Sequence, residues 1–303
     1  MSRIRIGTRG SRLALWQSEN VADSLRAAHP GLDVELCIIK TIGDRVQDRP
    51  LEAIGQTGLF TKELERALLD DEVDIAVHSL KDLPSILPDG LVLAATPERA
   101  DPRDALVSTR YASAEELPER AILATGSPRR RALFRELRPN ADFRDLRGNI
   151  GTRLEKLESE GFDGIVMAVA ALERLGLGDR VTEALPADRF VPSPGQGTIG
   201  IEARDGDTTT IDLMAAVSHA DASAFARAER SFQHRLEGGC SAALGAWCRS
   251  IDGHLVLTGY VGEREGDRRL RETIEGPATE PETLGIALAD RFLAQGAAEL
   301  VAS

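Results

Sequence analysis

The chain has 303 residues, a formal net charge of -12 and 42% apolar residues, enough for two or three domains with cores of their own. This acidity opposes nucleic-acid binding except through a local cationic cleft, and no apolar run nears the about 18 residues that span a bilayer, so a soluble, cytoplasmic protein is expected. Three cysteines at unrelated spacings, with no CxxC pair and no histidine cluster, exclude a disulfide framework and the common zinc sites; no metal is expected.

In chain order, the first strand is expected at 3–7 and runs into "GTRGSRLALWQ". Gly7 ends it, and Ser11 starts a helix over 11–29 by accepting from an orphan N–H, which sets Arg9 beside a helix N-terminus suited to carboxylate or phosphate. Further strands are expected at 34–40, 74–79 and 91–96, with a helix over 58–71 between the first two. The strand at 74–79 leads into "HSLKDLP", where His78, Ser79, Lys81 and Asp82 place an acid and a base side by side at a strand end, and Pro84 keeps Leu83 out of helix. The plain alternatives are a solvated Lys–Asp turn and a satisfied strand-end histidine.

A polar, proline-bearing break at 96–105 precedes a unit of domain size with strands at 121–126 and 164–170 and helices over 129–138 and 152–160. In "ATGSPRRRALF", Ser127 caps the helix, Pro128 takes its first position, and Arg129, Arg130 and Arg131 crowd the opening turn. Cations there are unfavourable by several tenths of a kcal/mol each, so something anionic is required. "LRGNIGTRLEKL" is a third helix start, with Thr152 and Glu155 as a capping box flanked by Arg147 and Arg153. Three arginine-bearing helix starts point to an organic polyacid, since guanidinium suits bidentate carboxylate pairing and no Walker A motif is present. The signal is discounted because only Lys40, Lys62, Lys81 and Lys156 among 37 basic residues are lysine, leaving arginine common everywhere.

A second break at 186–197, "PADRFVPSPGQG", is followed by one more strand, "GTIGIEAR", so the chain is expected to return to its first domain. The boundaries that follow are 1–97 with 198–216, then 98–197, then 217–303. The last is read as a small α+β domain: a helix over 221–237, a glycine bend, strands at 254–262 and 268–276, and one helix over 281–302. In its bend, "LEGGCSAALGAW" sets Cys240 after Gly238 and Gly239, which let backbone approach a ligand closely. A buried structural thiol, a nucleophile and a covalent anchor all remain open, with His234 the sole nearby base.

The stretches "IGTRGSRLALWQ", "HSLKDLP", "GSPRRRA", "LRGNIGTRLEKL", "GQGTIGIEAR" and "RLEGGCSAALGA", in this order, resemble the porphobilinogen deaminase (hydroxymethylbilane synthase) family from about Arg5 to Leu300. The resemblance implies an α/β fold of two periplasmic-binding-protein-like lobes, mixed sheets with crossover helices, plus the α+β C-terminal domain. It implies a dipyrromethane cofactor joined through a thioether to Cys240, and four porphobilinogen units condensed head to tail with loss of ammonia before a linear tetrapyrrole is released by hydrolysis. By position it makes Asp82 the catalytic carboxylate, stabilising the cationic azafulvene left when ammonia departs. Arg9, Ser11, Arg147, Arg153, Arg174 and Gln196 are implied as substrate contacts, and Lys81, Ser79, Thr125, Ser127, Arg129, Arg130 and Arg147 as cofactor contacts. The family is usually monomeric, so porphobilinogen is the expected partner, with neither nucleic acid nor membrane. Two departures stand out: Ala53 and Thr57 replace lysines common in a glycine-bearing loop, and "SAALGA" replaces a usual valine-proline pair after the cysteine.

Overall fold

The computed structural model describes residues 3–41, 61–236, 243–263 and 268–302. The chain divides into two compact units, 1–100 with 198–226, and 101–197 with 227–303. In the first, strands β1 (Arg3–Thr8), β2 (Asp33–Ile38), β3 (Ile75–Ser79), β4 (Leu91–Ala95) and β10 (Ile199–Arg204) form one sheet in the order β2-β1-β3-β10-β4. β1 is parallel to β2 and β3, whereas β10 is antiparallel to β3 and β4. Helix α1 (Arg12–Ala28) buries Val21, Ala22 and Leu25 against Ile4, Ile6 and Ile75, the period-3.6 stripe of the helix meeting the period-2 inner face of the sheet. Helix α2 (Lys62–Leu69) packs Leu64 and Leu68 with Val73 and Ala76.

The second unit repeats this plan. Strands β5 (Asp104–Val107), β6 (Ile122–Ala124), β7 (Asp142–Arg144), β8 (Gly164–Ala168) and β9 (Glu183–Ala184) take the order β7-β6-β8-β5-β9, with β6 parallel to β7 and β8, and β5 antiparallel to β8 and β9. Helices α3 (Pro128–Leu137), α4 (Ile150–Ser159) and α5 (Val169–Arg174) join these strands, and α6 (Thr208–Met214) follows β10 in the first unit. Helix α7 (Ala220–Arg235) contains the boundary between the units.

Three antiparallel strands, β11 (Ala243–Ile251), β12 (His254–Gly262) and β13 (Arg269–Pro277), complete the second unit with α8 (Pro281–Ala294) and α9 (Ala297–Ala302). The sequence reading needs three corrections here. The capping box is not formed: Asn149 is the N-cap of α4, accepting from the Thr152 N–H at 3.0 Å. The single terminal helix is two, divided at Gly296, whose φ of +88° ends α8 as a left-handed glycine does. Strands β5, β7, β9 and β11, and helices α5 and α6, were not anticipated from sequence.

Helix α8 crosses α7 at Gly285, where a Cβ would lie 2.3 Å from the Ala228 carbonyl oxygen and 2.9 Å from the Phe232 nitrogen. Both obstacles are backbone, so neither can rotate away. Gly285→Ala is expected to cost roughly 1–3 kcal/mol or more as overpacking, read as a lowered urea midpoint; an unchanged midpoint means the helices separate freely.

Candidate active site

In the first unit, the site is built where β1 and β3 end. The Ser11 hydroxyl caps α1 by accepting from the Ala14 N–H at 3.3 Å, while Ser18 donates to Thr8 at 2.7 Å and ties the helix to the last residue of β1. Arg9 is thereby held half-buried beside the helix start. From β3 the chain enters a 3-10 turn, Leu80–Asp82, closed by Leu83 N–H donating to the Leu80 carbonyl at 3.1 Å. Leu80 and Leu83 are both buried, packing with Ala226, and a Cβ on Gly200 would approach them to 3.0 and 3.2 Å. These two leucines anchor the turn, so Asp82 between them is exposed and Lys81 half-buried. The Pro84 argument holds locally: Leu83 is extended, with φ -76° and ψ 139°.

Ser79 is positioned by buried Gln17 of α1, whose amide donates to the Ser79 hydroxyl at 2.9 Å. A pocket of about 60 Å³ is lined by Arg9, Ser11, Gln17, His78, Ser79 and Asp82, with Thr61, Val77, Leu13 and Ala14. Four residues predicted from sequence are thus brought together: Arg9, Ser11, Ser79 and Asp82.

In the second unit, Thr125, Gly126 and Ser127 lead from β6 into α3. Ser127 caps the helix by accepting from Arg130 N–H at 3.4 Å, with Pro128 in its first turn. The anion demanded by the arginine run proves to be a residue that sequence reasoning missed. Asp104, fully buried at the start of β5, accepts from Arg129 at 2.7 and 3.2 Å and from Arg130 Nε at 2.9 Å. Gln196 donates to the same carboxylate at 2.9 Å and to the Pro102 carbonyl at 2.7 Å. Burial alone would raise the Asp104 carboxyl; the charges of Arg129 and Arg130 prevail and hold it well below the usual carboxylate range. Two guanidinium groups on one carboxylate leave this buried cluster with one net positive charge. Arg131, by contrast, pairs with Asp145 and donates to the Thr125 carbonyl.

Glu229 of α7 is a second missed residue. Its buried carboxylate accepts from the Gly195 N–H and the Cys248 N–H, each at 2.7 Å, which fixes the "PSPGQG" segment and hence Gln196. The Arg147 guanidinium lies against Gly126, where a Cβ would come within 3.2 Å of it. Arg147 Nε is buried without a hydrogen-bond partner. Arg153 stands in the first turn of α4 and donates to the Gly148 carbonyl at 2.8 Å. Arg174 ends α5 and donates to the Gly197 carbonyl at 2.7 Å; burial pushes its guanidinium down to about 10. Cys240, like Ala53 and Thr57, lies outside the described residues. Among the described residues no cluster of histidine, cysteine and acid suits a metal ion, and no helix is long and apolar enough to cross a membrane.

Each unit taken by itself therefore holds an α/β sheet with arginine-bearing helix starts at its strand ends. Sequence comparison specifies the family. The porphobilinogen deaminase dipyrromethane cofactor binding domain matches residues 4–212, and the porphobilinogen deaminase C-terminal domain matches residues 223–294. A porphobilinogen deaminase from Syntrophotalea carbinolica is 46% identical over 302 residues, covering 100% of this chain and 96% of that one. The chain belongs to the porphobilinogen deaminase (hydroxymethylbilane synthase) family, transferases of tetrapyrrole synthesis with a dipyrromethane cofactor.

Among solved structures, a lipoprotein of the YaeC family from Enterococcus faecalis is 14% identical with a TM-score of 0.43, covering 72% of this chain and 92% of that one. A nutrient binding protein from Burkholderia cenocepacia bound to methionine is 15% identical with a TM-score of 0.43, covering 70% and 90%. The residues at the start of α3 fit the family's cofactor. A dipyrromethane carries acidic side chains, and here an unpartnered buried Arg147 nitrogen, two hydroxyls and a buried cluster of net positive charge share one strand end.

Proposed function

We propose that this chain condenses four porphobilinogen units head to tail, one ammonia leaving with each, and then releases hydroxymethylbilane by hydrolysis. What supports the reading foremost is the 46% identity over 302 residues, which spans the whole chain. The dipyrromethane, joined to Cys240 by a thioether, supplies the pyrrole carbon to which the first unit is added.

The chain's own groups then have separable tasks. Thr125, Ser127 and Arg147 of the second unit and Ser79 and Lys81 of the first are the cofactor contacts, Arg147 and Lys81 pairing carboxylates, while Arg129 and Arg130 contribute the residual positive field of their buried cluster with Asp104. Arg9 and Ser11 are the first unit's substrate contacts, receiving a carboxylate of porphobilinogen at the start of α1; Arg147, Arg153, Arg174 and Gln196 are those of the second unit. Each charge-assisted bond contributes on the order of 1.5–3 kcal/mol. When the C–N bond of porphobilinogen breaks, its electron pair leaves with ammonia and positive charge spreads over the ring to the pyrrole nitrogen. Asp82 is the fixed anion for that charge, and it takes up the proton that the attacked ring carbon sheds as the new C–C bond forms.

The working division of the chain is three domains, 1–97 with 198–216, 98–197, and 217–303, in a cytoplasmic monomer. Mass spectrometry of the denatured protein tests the reading. A surplus equal to two linked pyrrole units is expected on the wild type and absent from Cys240→Ser; the bare chain mass on the wild type overturns it.

A further inference from the structure

Beneath the pocket of the first unit lies a group of ionisable side chains that no step above uses. His78 of β3 and Glu202 of β10 are 5% and 0% exposed, with His78 Nε2 2.8 Å from Glu202 Oε2. Their pairing follows from register: Gly200 is the cross-strand partner of His78, and Glu202, two residues on, points to the same face, which makes the pair diagonal. The contact lies off the line of a hydrogen bond, so His78 Nε2 and both Glu202 oxygens are buried without a hydrogen-bond partner. Glu65 of α2, 6% exposed, faces the same interior, with Thr61 against it and Oε1 also without a hydrogen-bond partner. His78 itself lines the pocket with Ser79 and Asp82.

Two carboxyls and one imidazole in a dry interior are neutral only when they share two protons. Burial pushes the Glu65 carboxyl up, and Glu202 adds to the rise against the lowering by Thr61, His78 and Lys62, which favours one of the two protons on Glu65. The other has two resting places, the His78 imidazole and the Glu202 carboxylate, 2.8 Å apart. One arrangement presents an imidazolium to the pocket and the other a neutral ring, with no proton exchanged with solvent.

We propose that the buried His78–Glu202 pair is a proton-holding positioning device for the pocket, setting its charge beside Ser79 and Asp82 during turnover. His78 is here a positioning residue, and the inference rests on the proposed function above. The charged groups around the ring are Glu202 from β10, Glu65 and Lys62 from α2, and Asp82 from the turn after β3. A third proton on the cluster makes it positive, next to the pocket where the reaction develops its own cation, and so opposes turnover.

The test compares Glu202→Gln with the double variant His78→Gln/Glu202→Gln, both as holoenzyme. The single variant leaves an imidazole without its counter-ion and is expected to melt lower than the wild type. The double variant is neutral, polar and of similar size, and is expected to regain most of that melting temperature while its kcat stays about tenfold down with KM little changed. The acid limb of its kcat profile is expected to move by at least about 0.5 pH unit, because two ionisable side chains beside the pocket have been removed. A purely structural pair predicts recovery of kcat together with melting temperature and an unmoved limb, which overturns the proposal. Cofactor mass and wild-type ammonia release are recorded on the same preparations. Their absence from the wild type removes the parent reading, whereas an active wild type beside a fully active double variant removes this inference alone.

Discussion

Asp82→Asn is expected to fold like the parent chain and to turn over porphobilinogen roughly 10²–10⁴-fold more slowly. The two halves of that expectation come from different parts of one turn. Leu80 and Leu83 carry its packing, at 1% and 2% exposure, while Asp82 is exposed between them. Removing its charge takes nothing from the core, and a change of about 0.5 kcal/mol or less in stability is expected. In the proposed mechanism the reacting ring, in contrast, loses the anion for its positive charge and the base for its departing proton. Asp82→Glu keeps the charge and moves it by one methylene; misplacement of about 1 Å can cost about 10²-fold, so this variant is expected between the two. Steady-state ammonia release on cofactor-loaded protein decides it, and near-normal turnover by the Asn variant removes Asp82 from its assigned role.

Much of this site was legible because its signals are local. Ser11 and Ser127 were readable as caps since a cap is decided within three residues of the helix start, and both accept the expected N–H. The six apolar runs read as strands hold β1, β2, β3, β4, β6 and β8; β3 and β8 are written as continuous buried runs, as strands covered by helices are, while β1 and β2 begin in alternation. The elements that were missed lack such a run. β7 is three residues long with both ends exposed, β9 is two, and β5 begins inside a proline-bearing stretch that reads as a break. β11 begins just after the glycine bend, where the small residues Ala243, Gly245 and Ala246 weaken its strand signal. Gly245 is small because a Cβ there would sit 2.7 Å from the Val191 carbonyl oxygen.

Partnership over long separations was not legible. Arginines at the positive end of α3 demanded an anion, and sequence alone pointed outward to a ligand. The protein supplies one from within: Asp104, 25 residues before Arg129, together with Gln196, 92 residues beyond Asp104. This changes how the arginines work as well as where their counter-ion is. Arg129 and Arg130 are 3% and 7% exposed, and each also donates to a carbonyl, of Val191 and Val166. Their positive charge reaches a ligand as a residual field from a fixed, buried cluster. Arg147, with a buried Nε lacking a hydrogen-bond partner, has a different status and retains donor capacity. The same blindness applies to His78, whose partner Glu202 lies on a strand contributed after the whole of the intervening domain.

Asp104→Asn is accordingly expected to be the most destabilising charge change in the second unit, by roughly 3–5 kcal/mol at pH 7. The carboxylate is 0% exposed and answers two guanidinium groups; an amide of the same shape leaves two like charges buried side by side with no anion between them. The sign with pH follows from the depressed carboxyl of Asp104. A group held below its unfolded value, ordinarily about 4, contributes its full stabilisation above that pH and loses it as pH falls toward the folded value. The wild type therefore loses this contribution in acid, and the Asn variant has none to lose, so the gap between them is widest at neutral pH and narrows below about pH 4. Urea unfolding of both proteins at pH 7 and pH 3 measures it. A gap under about 1 kcal/mol at pH 7, or one that widens in acid, means that Asp104 is not the counter-ion that allows two arginines to stand at the start of α3.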